Sequence, residues 1–379
     1  MTDNEHKVID VAFLIGNLNK EHGGGQQLLY DICRQLPEDE FDLTVYFMFG
    51  DGTYRPLFEE EGVDVIDIDA DSNYDLVAFH RLVHQLRRGN HEILHTNSPI
   101  SGVWGRIAAT IVDVPNIISV EHNMHQTYKF QARVANGLSL PLADHIVGVS
   151  NAVTESFLPW EAPLLKSTPK HTIVNGIDVE EIESHFGECR AVLQQYTDCS
   201  PEELIIGSVG RLTEQKGYEY LIKAFSEVRR EHPTAKLILI GDGPKRDKLE
   251  QIAIDEQVRE STHFTGYVPE VYPFLPAFDV GVFPSLWEGL PLAPAECMTA
   301  KCPIIASDIP PFNELLSDAG VLVPTSKPEA ISNEISRLLT DEERRKQLGK
   351  QAYQRVNEEF SIQRTVSEYA QLYREVTHE

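Results

Sequence analysis

The sequence predicts an α/β protein built from two doubly wound domains that face each other across a cleft. Three observations carry that prediction. Short apolar runs of strand length alternate with helical stretches along most of the chain, the rhythm of parallel sheets with crossover helices. The length, 379 residues, exceeds what one core of this rhythm requires, so two domains are expected. The rhythm also breaks once, between about Val179 and Ser200, at a polar, Glu-rich stretch that carries Cys189 and Cys199 and reads as a helix and linker. The expected division is therefore a first domain over 1–180, a linker over 181–200, a second domain over 201–360 and a final helix over 361–379.

Taken in order, VIDVAFLI and LTVYFMF read as strands, with QQLLYDICRQL between them placing Leu28, Ile32 and Leu36 on one helical face. VDVIDI, EILHT, NIISV, HIVGV and HTIVN continue the strand series, and helices are expected near Leu76 to Arg88, Gly102 to Ile111 and Asn151 to Leu158. Asn175-Gly176 is a turn signal. The second series is LIIGSV, KLILIG, THFTGY, DVGVF, PIIAS and GVLVP. The tail from about Pro328 is helical in pattern and breaks near Phe360-Ser361. Its last helix spaces Val366, Tyr369, Leu372 and Tyr373 to bury one face, so it needs a partner surface.

Composition removes several function classes. With 59 acidic and 33 basic residues, the formal charge of -26 repels nucleic acid and anionic lipid at long range, and no nucleic-acid partner is expected. No apolar run approaches a membrane-spanning length. MTDNEHKVID does not read as a signal peptide. Five cysteines without a Cys-x-x-Cys pair argue against a disulfide framework and a structural zinc site. A cytoplasmic protein is expected.

The densest chemistry lies in SLWEGLPLAPAEC, where Glu288 leaves a strand and Glu296 stands about one turn into the next helix. Side chains tilt toward a helix N-terminus, so both carboxylates are expected at one mouth. Between them the N–H groups of Gly289, Leu290 and Leu292 and the positive helix end offer an anion site, suited to a hydroxyl-rich phosphate ester. A solvated loop is the bland alternative. In GSVGRLTEQKG, Arg211 and Lys216 follow a strand, and a cation near a helix start is favourable only with an anion beside it. Surface pairing with Glu214 or Glu219 is the alternative. LIGDGP lacks a full dinucleotide fingerprint and reads as a packing turn, while Tyr267 and Val268 leave another strand where a flat base could rest.

In the first domain, Gly23, Gly24 and Gly25 lie between a strand and a helix and permit close backbone approach, or form a flexible loop. His122 and Asn123 stand at a strand's exit. His91, His95 and His125 lack the spacing of a metal-binding helix, so no metal or other cofactor is expected.

These segments, in their order and spacing, resemble the retaining nucleotide-sugar glycosyltransferases of family 4, which have the GT-B fold of two Rossmann-like domains. The likeness runs through GGGQQLLYD, HTNSPISGVWGR, SVEHN and VNGID to GRLTEQKG, LIGDGP, TGYVPE, WEGLPLAPAE and PIIASD. It implies that Arg211 and Lys216 hold the donor diphosphate with the amides of Gly289 and Leu290. Glu296 would accept the ribose hydroxyls, Glu288 contact the donor sugar, and Tyr267 and Val268 border the base. His122, with Asn123 beside it, matches the histidine near the reaction centre; Gly24 and Gly25 match the loop between donor and acceptor. The final helix would cross back onto the first domain.

The implied reaction is metal-independent transfer from a nucleotide-sugar, with UDP the expected nucleotide, to a glycan, lipid-linked or small-molecule hydroxyl acceptor. A sugar-nucleotide epimerase and a non-catalytic sensor of similar architecture remain the alternatives. Two segments depart from the family. Asn97 replaces a second histidine, and Met124 to Leu142 matches no motif. In the latter, Phe130, Val134 and Leu138 recur at helical spacing beside Lys129 and Arg133, so the stripe either packs on its own sheet or makes a peripheral contact at the cytoplasmic face of a membrane.

Overall fold

The computed structural model describes residues 8–19, 24–97, 99–187, 189–194, 200 and 203–378. The chain forms two compact units, one comprising Met1–Asn175 with Ile362–Glu379 and the other Gly176–Ser361. In the first unit, strands β1 (Ile9–Asn17), β2 (Phe41–Phe49), β3 (Asp64–Asp67), β4 (Ile93–Asn97), β5 (Asn116–Glu121), β6 (His145–Gly148) and β7 (Lys170–Thr172) alternate with helices α1 (Gly24–Gln35), α2 (Arg55–Glu60), α3 (Leu76–Gly89), α4 (Pro99–Val112), α5 (Phe130–Ser139) and α6 (Asn151–Thr154). Their seven-stranded parallel sheet runs β3-β2-β1-β4-β5-β6-β7. Val11, Ala12, Phe13 and Leu14 are all fully buried, as continuous apolar runs in a doubly covered sheet require.

The second unit begins with α7 (Val179–Ser184) and α8 (Cys189–Gln194). The stretch expected as a helix and linker contributes two short helices to this unit, with Val179, Ile182 and Leu193 buried and Asp178 capping α7 at Glu181 N, 3.0 Å. Cys199 lies outside the described residues. Then follow β8 (Ile205–Val209), α9 (Tyr218–Glu231), β9 (Lys236–Ile240), α10 (Arg246–Asp255), β10 (Thr262–Gly266), β11 (Val280–Phe283), α11 (Leu292–Thr299), β12 (Ile304–Ser307), α12 (Pro310–Leu316), β13 (Val321–Val323), α13 (Pro328–Thr340) and α14 (Glu342–Glu359). The parallel order is β10-β9-β8-β11-β12-β13.

Helix α15 (Ile362–His378) returns to the first unit. Thr365 Oγ1 donates to Val174 O at 2.8 Å, and the rings of Tyr369 and Tyr373 bury themselves against His95, with Tyr373 also edge-on to Phe13 and Phe41. One helix differs from expectation. The stretch expected to run to Leu158 stops at Thr154, because the chain turns there to bring Leu158 N within 2.8 Å of the buried Glu161 carboxylate.

Candidate active site

In each sheet the direction of winding reverses once, between β1 and β4 and between β8 and β11. Doubly wound sheets bind ligands outside the C-terminal strand ends at such reversals. Of the residues singled out from sequence in the second unit, Lys216 and Glu288 meet there, while Tyr267 and Val268 follow the edge strand β10. The loop after β8 closes onto the loop after β11 at Gly217, whose φ is +64° and whose missing Cβ would stand 2.1 Å from Pro284 O; no larger residue fits. Leu286 N donates to Gln215 O at 2.7 Å. Gln215 Nε2 in turn donates to Trp287 O and to Glu288 Oε2, both at 3.0 Å.

Lys216 Nζ reaches Glu288 Oε1 at 2.7 Å, and Glu288 is only 6% exposed. This pair was not foreseen. The acids expected as alternative partners are engaged elsewhere, Glu214 with Lys245 at 3.6 Å and Glu219 with Lys248 at 2.7 Å. Arg211 is exposed on the same loop. Gly289 is buried, Leu290 is half-buried, and α11 starts two residues later behind Pro291 with no side-chain cap. Glu296 lies half-buried one turn into α11.

LIGDGP packs beneath the loop after β8. A Cβ on Gly241 would stand 2.3 Å from Gly210 O and one on Gly243 2.6 Å from Leu212 O, so backbone contact uses both glycines. At the end of β10, Gly266 turns with φ +76°, leaving Tyr267 exposed and Val268 buried.

In the first unit, Gly24 and Gly25 are the first two residues of α1, both exposed, and Gly23 lies outside the described residues. Apart from its chain neighbours and the backbone of its own helix, no described atom comes within 4 Å of where a Cβ on Gly25 would be. His122 follows β5 directly and Asn97 ends β4, so the two meet where adjacent strands terminate: His122 Nε2 lies 2.9 Å from Asn97 Oδ1. Burial pushes the His122 imidazole down to about 4 against the opposing Glu121 charge, which keeps the ring neutral at physiological pH. Asn123 is half-buried beside it.

Behind His122 lies a buried polar cluster that the sequence did not reveal. Glu121 accepts from Asn136 Nδ2 at 2.9 Å and from the Tyr128 hydroxyl at 3.3 Å, with His125 Nε2 at 3.3 Å. His125 Nδ1 is 3.0 Å from Glu161, while Arg106 donates to Ser119, Asn136 and Ser139. Burial disfavours the Glu121 carboxylate, but His125 and Arg106 outweigh it and bring its pKa to about 2. The cluster fastens Met124 to Leu142 to β5. Among the described residues, no group of three or more His, Cys, Asp or Glu could hold a metal ion.

Two doubly wound units, with Lys216 and Glu288 paired at one sheet reversal and His122 and Asn97 at the other, define a class of α/β protein. The particular family follows from comparison with known proteins. Residues 22–181 match the family described as Glycosyltransferase Family 4, and residues 194–355 match Glycosyl transferases group 1. The chain belongs to this glycosyltransferase family.

The alpha-D-kanosaminyltransferase of Streptomyces kanamyceticus is 30% identical over 178 residues, 45% of this chain and 46% of that protein. That match spans less than half the relative's length. The UDP-Gal:alpha-D-GlcNAc-diphosphoundecaprenol alpha-1,3-galactosyltransferase of Escherichia coli is 23% identical over 370 residues, 92% of this chain and 93% of that one. Among solved structures, Anabaena HepE in complex with UDP and glucose has a TM-score of 0.81 at 19% identity, covering 96% of this chain and 99% of its own. The sucrose-phosphate synthase of Thermosynechococcus elongatus has a TM-score of 0.79 at 20% identity, covering 98% and 99%. These likenesses establish the GT-B fold.

Proposed function

We propose that this chain is a retaining glycosyltransferase that moves a sugar from UDP to a hydroxyl acceptor in glycan or glycolipid synthesis. The observation that carries the reading is the Lys216–Glu288 pair braced by Gln215 at the reversal of the second sheet. A diphosphate beside Lys216 competes with Glu288 for the ammonium. The freed carboxylate then needs donors, which sugar hydroxyls supply. Arg211 and the amides of Gly289 and Leu290 complete the diphosphate site, Glu296 takes the ribose, and Tyr267 and Val268 border the base. The first unit takes the acceptor, with Gly24 and Gly25 allowing close approach and His122 and Asn123 acting at the sugar.

In the transfer step the bond from the anomeric carbon to the diphosphate oxygen breaks, and the acceptor oxygen bonds on the same face. The acceptor proton goes to the departing diphosphate. Preorganised cations and amides stabilise the leaving charge, and no step requires a metal.

The lipid-linked acceptor in the name of the Escherichia coli relative suits the outer face of α5. Phe130 and Leu138 point outward at 70% and 64% exposure, and Leu142, Trp160 and Leu164 are also exposed. No acidic residue falls between Glu121 and Asp144, or between Glu161 and Asp178, in a chain with 59 acids. An apolar, locally cationic face on an otherwise acidic protein fits the surface of an anionic bilayer.

The donor reading is tested by thermal stabilisation with UDP, GDP and ADP on the wild type and on Arg211→Ala. UDP at a hundred times its dissociation constant should add about 2.7 kcal/mol, and the variant should lose most of it. Absence of stabilisation by every nucleotide overturns the reading. Conversion of a UDP-sugar to its epimer without an acceptor would instead establish an isomerase.

A further inference from the structure

At the end of β4, Asn97 is 8% exposed, its Oδ1 engages His122, and its Nδ2 has no hydrogen-bond partner among the described residues. Its own carbonyl is taken by the Ser101 hydroxyl, which fixes the backbone at this point. A buried amide donor with no acceptor is costly, and native structures retain few of them. On the same face of β4, two residues earlier, the buried His95 ring lies close enough to feel the Asn97 side chain and the His122 charge and is tied through Nδ1 to the Tyr373 hydroxyl at 2.6 Å. The side chain of Asn97 is therefore held between two imidazoles at the reversal of the first sheet, with one half of its amide engaged and the other half not.

An amide oxygen can only accept. With Oδ1 at 2.9 Å, His122 Nε2 must carry the hydrogen, and in a neutral imidazole the other nitrogen is then an acceptor. We propose that Asn97 is a positioning residue for His122: it holds the ring as the Nε2–H tautomer, presents Nδ1 as acceptor to a substrate hydroxyl, and offers its own Nδ2 hydrogens to an oxygen of the same substrate. The ligand chemistry is that of a polyol, in which each hydroxyl both donates and accepts. The donor role of Nδ2 rests on the glycosyltransferase reading, whereas the tautomer does not. A second histidine at position 97 could donate or accept according to its own tautomer; an asparagine oxygen removes that choice.

The tautomer is read directly by nitrogen NMR of the full chain labelled with 15N-histidine, with the His122 signals assigned from His122→Asn. The wild type should show Nε2 protonated and Nδ1 unprotonated, and Asn97→Ala should show a mixture of tautomers. A wild-type ring protonated at Nδ1, or a signal unchanged in Asn97→Ala, overturns the proposal. Asn97→Asp supplies the conservative arm, since its carboxylate still accepts from Nε2 but has lost the donor. It should retain the tautomer and raise the acid limb of the pH profile, because a new anion joins Glu121 beside His122 while His95 remains neutral. Its KM for the nucleotide-sugar should rise by about tenfold or more. A nucleotide-sugar KM equal to that of the wild type removes the donor role of Nδ2. UDP stabilisation should survive in each variant; if the wild type lacks it, the function reading fails while the tautomer result stands independently.

Discussion

His95 and His122 are held neutral by burial, the first brought down to about 3 and the second to about 4. Both refuse a proton that the unfolded chain binds below about 6.5. As pH falls from about 6.5 toward 4, the unfolded state takes up protons that the native state does not, and stability declines. His125 does not offset this. Glu121 and Glu161 raise its pKa against burial, so its contribution is complete below about 6.5 and is lost only as pH rises. The expected outcome is a loss of about 1.4 kcal/mol per pH unit for each neutral histidine. Denaturation followed at pH 6.5, 5.5 and 4.5 should give a slope about one proton smaller in His122→Asn. Identical slopes would mean that His122 titrates freely. His122 was legible in the sequence because it directly follows a strand. The Lys216–Glu288 pair was not, since no periodicity relates positions in separate elements far apart in sequence, and the same holds for Arg106, Glu121 and Glu161.

Helix α5 shows what periodicity leaves open at the scale of an element. Phe130, Val134 and Leu138 recur at the spacing of one face, but spacing does not say which way that face turns. Here Arg106 decides. Buried on α4, it needs oxygen acceptors, and Asn136 and Ser139 of α5 provide them. Turning those residues inward sends Phe130 and Leu138 out, and the packing of α5 on its own sheet uses polar side chains. The ring of Trp160 completes the face by lying against Gly137, where a Cβ would stand 2.3 Å from it. If this face meets an anionic bilayer, the chain should co-sediment with phosphatidylglycerol vesicles at low salt and less at high salt. Phe130→Ser with Leu138→Ser should abolish co-sedimentation without lowering the melting temperature, because both side chains are already exposed. Equal sedimentation of the double variant, or none by the wild type, sinks the membrane contact.

At the scale of the whole molecule, the first unit is not contiguous in sequence. Its sheet is complete by Thr172, yet Phe13, Phe41 and His95 would lose much of their cover without α15, which arrives only after the second unit has been traversed. The sequence showed that the last helix needed a partner surface, through its four apolar positions; the family resemblance pointed to the first domain. What no pattern could show was the Tyr373 hydroxyl seated on His95, or the Arg374 guanidinium on Glu40 at 2.6 Å. Tyr373 is fully buried and engages three other aromatic rings besides His95. Replacing it with alanine removes that packing and leaves His95 Nδ1 without its partner, a cost of about 3–5 kcal/mol from the cavity. The loss belongs to one unit. Hydrogen exchange should quicken across β1 and β4 in Tyr373→Ala, while β8 and β11 keep their protection and UDP stabilisation persists. Uniform loss of protection in both sheets would mean that the two units unfold as one, and unchanged exchange in β1 would mean that α15 contributes nothing to the first core.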